Sequence, residues 1–401
     1  MASLGPRFLT LGVKCTKSQL LTAALPSCTQ VAKLRSVNDP FPLPPRPKPF
    51  RGRKYNAFWQ MFDSPIPRMN ENSIVVLVEG NLGTGKKELA KKLAEEFDLL
   101  YIDDIDFNSM YMSPVFEDFN YRDLNQYAVD RPMYVGLDEF WATEKLEDNP
   151  MIMRSQFDSF HLRWFKYRNA LKHIFNTGQG VIMARSVYSD IAFCHAMVNR
   201  NLFKKSVYKK YLEYTNKAFK YLFTPHLVIY LDATPAYSMK KIKERNVPHE
   251  VNSPILTEDF LSKISEGYDK KILPKLEPLS EIMVLDADNL PDYDLLVEEM
   301  EKIDFNPFRD TLLRDEKFAD WRLTHERQWA SYRIWCDLDP SHFWTCNDPQ
   351  GHVEIRDIQL TVEEFTTCRD YRVRKEQYYY DKRFAHGKDG MKGAIKRLFH
   401  I

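Results

Sequence analysis

The stretch that most constrains this chain is VVLVEGNLGTGKKELAKKL, residues 75–93, in which an apolar run enters a glycine-rich loop and an amphipathic segment leaves it. The spacing GxxxxGK is supplied by Gly80, Gly83, Gly85 and Lys86. Such glycines let amide N–H groups face a phosphate at a helix N-terminus, and the lysine adds a positive charge. Because the loop stands between a strand and a helix, as the motif requires, the sequence predicts a nucleotide-phosphate site rather than a simple glycine turn.

One position departs from this pattern. The motif normally continues with Ser or Thr, whose hydroxyl binds the magnesium ion that accompanies the nucleotide. Here Lys86 is followed by Lys87. The chain therefore either still transfers phosphate by another arrangement or keeps the shape of a phosphate-transfer protein for a different purpose.

The composition is that of a soluble globular protein. Apolar residues make up 44% and charged residues 28% of the 401, and the formal net charge of +1 gives no bias toward nucleic acid. No run of eighteen apolar residues occurs, so no membrane-spanning helix is predicted.

The first 38 residues carry five basic side chains and no acidic one before Asp39, which is typical of a mitochondrial transit peptide. The apolar stretch FLTLGV is short for the alternative, a secretory signal. Cys15 and Cys28 would leave with this segment, and the other four cysteines have no CxxC spacing, so we expect free thiols in the mitochondrial matrix.

Residues 39–72 form a predicted strap. Six prolines occupy the twelve positions 39–50, which favours an extended chain, and the basic, aromatic stretch RGRKYNAFWQMFD follows. The strap is predicted to be a solvated tether, to cover the core of its own chain, or to cross a partner with Phe58, Trp59 and Phe62 as anchors.

Residues 73–305 are predicted to form an α/β domain. The apolar runs IVVLVE, LLYID, GVIMA, HLVIYLD and IMVLDA alternate with amphipathic helices, which indicates a doubly wound parallel sheet of five strands. The longest helix is predicted from Ile152 to Phe175 because its large apolar side chains recur at helical spacing.

Residues 306–401 lose this alternation and become rich in aromatic and basic side chains, with four tryptophans between Trp321 and Trp344. Cys336, His342 and their neighbours fit no zinc spacing, so no metal is predicted. Trp, Tyr and Arg are enriched where interfaces bury anchor residues, and we expect this extension to be a docking surface.

Further polar residues follow predicted strands. Asp104, Arg185 and Asp190 stand beyond strand ends, and ligands of open α/β sheets bind there. Gln156 and Arg163 lie seven residues apart on the long helix, hence on one face. These side chains are expected to converge on one pocket.

Three stretches now resemble the deoxynucleoside kinase family: EGNLGTGKK, the Gln156 and Arg163 pair, and ARSVYSD at residues 184–190. The later PHLVIYLDATPAYSMKKIKERN is similar to the family's fourth strand and the start of its lid. The resemblance covers residues 73–305 and implies a P-loop kinase-type fold. It also implies a bound nucleotide, either ADP, ATP or a deoxynucleotide.

The resemblance implies a role for each matching residue. The phosphates would meet Gly80, Gly83, Gly85, Lys86, Lys87, Lys241 and Arg245. The nucleoside would meet Gln156, Arg163, Asp190 and Glu250. Asp104 stands in the place of the family's general base, and Arg185 in that of the group that stabilises the transferring phosphoryl group.

Two departures concern the same ion. Lys87 replaces the metal-holding hydroxyl, and Ala184 replaces a Glu that the resemblance places at the metal. Losing magnesium removes several kcal/mol of transition-state stabilisation, so the sequence favours a protein that is not a kinase. Lys87 is expected to substitute its own charge for the ion. A flavin has been assigned within the family, but no residue here supports one.

Within the family, the chain resembles a branch of accessory subunits of mitochondrial respiratory complex I, which share a presequence, a basic and aromatic strap, TGQGV, PHLVIYLD, a lid like NVPHE, and a C-terminal extension. This implies a non-catalytic subunit, peripheral on the matrix side of the inner membrane, that supports the membrane arm. Its partners would be other complex I subunits. The alternative is an active mitochondrial deoxynucleoside kinase.

Overall fold

The computed structural model describes residues 33–39, 47–50, 54–107, 111–112, 120–127, 132–309, 312, 314–338, 366 and 370. The predicted transit peptide over residues 1–32, Trp344 and nearly all of the chain beyond Leu338 lie outside the described residues.

A parallel five-stranded sheet forms the centre of the domain, as the sequence predicts. Its strand order is β2-β3-β1-β4-β5. The strands are β1 (Val75–Gly80), β2 (Leu100–Ile102), β3 (Val181–Ala184), β4 (Leu227–Asp232) and β5 (Glu281–Asp286). The two edge strands, β2 and β5, are partly exposed, whereas β1 and β3 are buried throughout. The strands covered on both faces are therefore nearly continuous apolar runs, and the two edge strands carry apolar runs as well.

Helices cover both faces of the sheet. They are α1 (Lys86–Glu96), α2 (Leu137–Ala142), α3 (Ile152–Thr177), α4 (Ser189–Asn199), α5 (Lys205–Phe219), α6 (Pro235–Arg245), α7 (Pro248–Val251), α8 (Glu258–Gly267), α9 (Leu273–Leu276), α10 (Tyr293–Glu301) and α11 (Glu326–Asp337). A π-helical turn, Tyr268–Ile272, joins α8 to α9, and short 3₁₀ turns occur at Trp59–Met61, Ile66–Arg68, Tyr121–Tyr127 and Ala319–Trp321. None of the described helices is long and apolar enough to cross a membrane. Helix α3 confirms the long helix predicted from Ile152 to Phe175, with two further residues at its C-terminus.

The parallel sheet has two distinct edges. Loops that follow the strands meet at its carboxyl edge, and loops that lead into the strands meet at its amino edge. β1 lies between β3 and β4, so the chain builds β2 and β3 on one side of β1 and then crosses to β4 and β5 on the other. This is the position at which open α/β sheets leave a crevice for a ligand.

Residues 33–38 pack against the domain although the predicted transit peptide extends to residue 38. Leu34 lies in the hydrophobic core. The backbone N–H of Val37 donates to the carbonyl of Glu96 at 2.8 Å, and that of Arg35 to Oδ1 of Asn72 at 2.9 Å. Residues 33–38 of the predicted presequence are therefore packed on the domain in this structure.

The strap covers its own chain through one part and faces outward through another. Tyr55 and Arg68 are buried, and Arg68 donates to the carbonyl of Asn176 at 3.1 Å. Phe58 and Phe62 remain 58% and 70% exposed. The predicted anchors therefore stand on a segment that is fixed to the domain.

Part of the C-terminal extension also belongs to the domain. Trp321 and Trp329 are buried in the same core as the sheet, and Trp321 Nε1 donates to the carbonyl of Thr224 at 2.8 Å. Helix α11 packs on α3, where Trp335 meets the ring of Trp164 edge-on. The docking role predicted for residues 306–401 therefore rests mainly on residues beyond Leu338, which are not described.

Candidate functional site

A cavity of about 770 Å³ opens at the carboxyl edge of the sheet. Loops that follow the strands line it, together with one face of α3 and the helices α6 and α10. The structure brings nearly all the predicted site residues to this one cavity: Gly83, Gly85, Lys86, Lys87, Asp104, Gln156, Arg163, Arg185, Asp190, Lys241, Arg245 and Glu250.

The glycine loop follows β1 directly. Gly80 ends the strand outside the cavity lining, where an added Cβ would lie 2.6 Å from the carbonyl oxygen of Leu231 on β4. Gly83 has φ +73°, and an added Cβ would meet the Cβ of Lys241 at 3.0 Å. The loop can thus pass tightly between β4 and α6 only because these positions lack side chains.

Lys86 begins α1, and its ammonium turns back over the loop. It donates to Oγ1 of Thr84 at 2.9 Å and to the carbonyl of Asn81. Burial lowers the pKa of Lys86 well below its ordinary value, and the nearby guanidinium of Arg185 lowers it further. A phosphate group beside this ammonium would stabilise its charged form.

Lys87 forms an ion pair with Asp103, which follows β2. The Lys87 ammonium lies 2.9 Å from Oδ1 and 3.1 Å from Oδ2 of Asp103. Partial burial would raise the pKa of Asp103, but hydrogen bonds from Lys87 and from the Asp104 amide hold it below the ordinary value. The position of the usual metal-binding hydroxyl is therefore occupied by a neutralised pair of charges.

Asp104 is tied to two arginines. Arg163 contacts both of its carboxylate oxygens, at 2.8 and 3.1 Å, and Arg185 lies 3.8 Å away. Burial would raise the pKa of Asp104, but the two guanidiniums outweigh burial and lower it. A carboxylate stabilised in its charged form is a weak general base.

Asp190, in the first turn of α4, accepts a hydrogen bond from Gln156 Nε2 at 3.0 Å and pairs with Arg163 at 2.5 Å, both through Oδ1. Its Oδ2 is buried and has no hydrogen-bond partner. Burial raises the pKa of Asp190 to about 6 despite the neighbouring Arg163. An unsatisfied buried oxygen is costly, and the amino group of a nucleobase would satisfy it.

The lid residues Lys241, Arg245 and Glu250 line the same cavity as α3. Arg245 of α6 is paired with Glu250 of α7, and Lys241 donates to Glu244 at 2.8 Å. The predicted lid cations are therefore partly neutralised by carboxylates of the same segment. Val247 precedes α7 as its N-cap.

Sequence reasoning missed three residues near the site. Glu79 is fully buried in β1 and accepts hydrogen bonds from the Ser186 amide at 2.8 Å and from the Tyr268 hydroxyl at 2.9 Å. An acidic residue inside an apolar strand was the available signal. Asp103 was overlooked because sequence reasoning selects its neighbour Asp104 as the site residue after β2. Lys166, the third missed residue, is one helical turn beyond Arg163 on α3.

The residues present do not fit a magnesium ion. Lys87 presents an ammonium, Ala184 has no oxygen, and both oxygens of Asp104 already accept hydrogen bonds from Arg163. Within the described ranges, no group of three or more His, Cys, Asp or Glu side chains could hold a metal. Magnesium takes oxygen ligands, usually one or two protein carboxylates together with waters and substrate phosphates.

A parallel sheet whose first strand runs into a glycine loop and a helix N-terminus, with a cavity at its carboxyl edge, defines a P-loop kinase-type fold. The sequence model of the deoxynucleoside kinase family matches residues 76–305, more than half of the chain. The chain belongs to the deoxynucleoside kinase family.

Similar proteins have names of two kinds, complex I subunits and deoxynucleoside kinases. A rat protein named NADH dehydrogenase (ubiquinone) 1 alpha subcomplex subunit 10, mitochondrial, is 29% identical over 249 residues, 61% of this chain and 66% of its own length, just under two thirds. The bovine protein of the same name is 28% identical over 61% of this chain and 68% of its length. Deoxyguanosine kinase of Dictyostelium discoideum is 23% identical over 59% and 72%.

Among solved structures, a deoxyadenosine kinase from M. mycoides with bound dCTP is 15% identical and covers 57% of this chain and 100% of its own. Its TM-score is 0.40. At that value the likeness adds nothing to the family match.

Proposed function

We propose that this chain is a non-catalytic accessory subunit of mitochondrial complex I, which holds a nucleotide in a kinase-type site without transferring phosphate. The names of the rat and bovine relatives support assembly with complex I in mitochondria. The matrix side of the inner membrane, a peripheral position and support of the membrane arm are part of the same proposal.

The observation that most supports a loss of phosphate transfer is the ion pair between Lys87 and Asp103. It lies at the position where the motif normally has its metal-binding hydroxyl. Magnesium neutralises charge that develops on the transferred group. Ala184 stands where the family resemblance places a Glu, so a second oxygen ligand for the metal is missing. The two arginines that contact Asp104 also make this carboxylate a weaker base. Each 1.36 kcal/mol of lost stabilisation slows the reaction about tenfold.

The nucleoside half of the site supports ligand binding. Gln156, Arg163 and Asp190 converge, and Oδ2 of Asp190 lacks a partner. The cavity volume of about 770 Å³ falls within the usual range for small-molecule sites. A nucleotide of the ADP, ATP or deoxynucleotide type is therefore the proposed ligand.

The subunit assignment is tested by native gel electrophoresis of gently solubilised mitochondria. We expect this chain to migrate with complex I and to shift with it when the complex is depleted of a membrane-arm subunit. Migration only as a free protein of about its own mass would contradict the assignment.

The second candidate, an active deoxynucleoside kinase, is favoured by Asp104, Arg185 and Asp190, which all reach the cavity. We expect no turnover of deoxynucleosides with magnesium ATP by the wild-type chain. We further expect activity to emerge in the Lys87→Ser, Ala184→Glu double variant, because it restores both oxygen groups for the metal. Turnover by the wild-type chain would establish the kinase instead.

A further inference from the structure

The Lys87 ammonium rests at the rim of the cavity. Lys87 lines the cavity, whereas its partner Asp103 does not belong to the lining. The two side chains are 56% and 47% exposed. Exposed ion pairs of this kind are weak, so the ammonium can leave Asp103 at little cost.

Hydrogen bonds from Lys166 hold the backbone at Asp103 in place. The ammonium of Lys166 on α3 donates to the backbone carbonyls of Asp103 and Asp104, at 2.9 and 2.5 Å. The backbone that carries the Asp103 carboxylate is thus anchored while Lys87 extends from the first turn of α1. If Lys87 exchanged Asp103 for another partner, the lysine side chain would move and the Asp103 carboxylate would stay in place.

The part of the cavity beside the glycine loop would repel a metal cation. Lys86, Lys87 and Arg185 all line it. Asp104, a carboxylate of the same cavity lining, is already bound by Arg163. A polyphosphate entering at the helix N-terminus would meet these fixed positive groups instead of a metal ion.

Resting on the proposed binding of a nucleotide, we propose that Lys87 and Asp103 form a latch. In the free chain Lys87 pairs with Asp103, and a metal-free nucleotide polyphosphate draws the ammonium away from Asp103 to its own oxygens. Asp103 therefore acts as a competing anion that sets the affinity. The ligand class is a nucleoside di- or triphosphate without magnesium.

The test is isothermal titration of the purified full chain with ADP and with ATP, each in excess EDTA and in excess magnesium. We expect equal affinity, within about twofold, in both conditions. Binding that requires magnesium would overturn the latch and leave nucleotide holding intact. No binding in either condition would overturn nucleotide holding itself, while the gel test of subunit identity stays independent of both.

Variants then separate the latch from general electrostatics. In EDTA, Lys87→Thr is expected to weaken ADP binding about tenfold or more, because one charge-assisted contact is lost. Lys91→Thr, on the same helix but outside the cavity lining, is the matched control and should change affinity by less than about twofold.

Asp103→Asn is expected to tighten ADP binding severalfold, because it removes the competing anion. In the Lys87→Thr background this gain should shrink, since there is no longer an ion pair to break. Equal gains in both backgrounds would mean that Asp103 acts only by repulsion and would overturn the latch. Far-ultraviolet circular dichroism of each variant verifies that it is folded.

Discussion

At the scale of single residues, Asp190 carries the clearest electrostatic conflict in the site. Its Oδ1 is bound by Gln156 and Arg163, while Oδ2 is buried without a partner. Burial favours the protonated carboxyl and Arg163 favours the carboxylate, and the balance puts the pKa at about 6. Nucleoside binding should therefore depend on pH in a range that experiments can reach.

The amino group of a nucleobase requires Asp190 as the carboxylate. As the pH falls through about 6, protonation removes this acceptor, so affinity should fall, by up to about tenfold per pH unit at lower pH. The measurement is the dissociation constant of deoxyadenosine between pH 5 and 8. A nucleoside is used because the second ionisation of a phosphate group lies near pH 6.

Asp190→Asn should bind deoxyadenosine more weakly at pH 8 and should lose the pH dependence. Glu244→Gln alters an exposed lid carboxylate outside the cavity lining and is expected to keep the wild-type profile. A flat wild-type profile would show that protonation of Asp190 does not control binding in this range. A fall in affinity that persists in Asp190→Asn would assign the pH dependence to another group.

At the scale of elements, α11 is joined to the strap by one buried arginine. Arg333 is fully buried, donates to Oδ1 of Asn176 at 2.7 Å and pairs with Asp63 at 2.7 Å. Its guanidinium also lies 3.7 Å from the ring centre of Tyr55. One side chain thus connects the strap, the end of α3 and the C-terminal helix.

Replacing Arg333 with Met should destabilise the chain by about 3 kcal/mol, because it leaves Asp63 without one of its partners in a largely buried position. The measurement is urea unfolding followed by tryptophan fluorescence. Arg327→Met, an exposed change on the same helix, should stay within about 0.5 kcal/mol of the wild type.

The pairing is verified by adding Asp63→Asn. Because the two side chains interact directly, the double variant should lose less than the sum of the single losses, by about 1 kcal/mol. Additive losses, or an Arg333→Met chain as stable as Arg327→Met, would show that the contact does not hold α11 to the strap.

The elements also differ in how well the sequence predicted them. β1, β3 and β4 were predicted because burial on both faces leaves a continuous apolar run. Site residues such as Asp104 and Arg185 were predicted because they directly follow strands. The Arg333–Asp63 contact joins residues 270 apart, and no local pattern encodes such a pair.

The other differences between prediction and structure have their own causes. Trp321 and Trp329 were expected on a docking surface because aromatic side chains serve interfaces and cores alike. Leu34 was placed in the transit peptide because composition cannot show that a short segment packs on a domain. The Lys87–Asp103 pair needed side-chain positions, although the unusual lysine itself was visible.

At the scale of the whole molecule, the segments added to the kinase-type domain gather at one edge. Residues 33–38, the strap and the described part of the C-terminal extension contact the chain shortly before β2, β3 and β5. The contacts are made to Glu96 at the end of α1, Asn176 near the end of α3 and Leu279 in the loop before β5. None of the described residues of these segments lines the cavity, which lies at the opposite edge. Helix α3 spans the distance, with Gln156 at one end and Asn176 at the other.

This division has a consequence for how long the proposed nucleotide would stay bound. A neighbouring protein that binds only the strap or α11 would leave the opening of the cavity exposed to solvent. The ligand could then exchange without disassembly, and its occupancy would follow the nucleotide concentration of the surrounding compartment. Its residence time would be set by the chain's own lid and lysines and not by its neighbours.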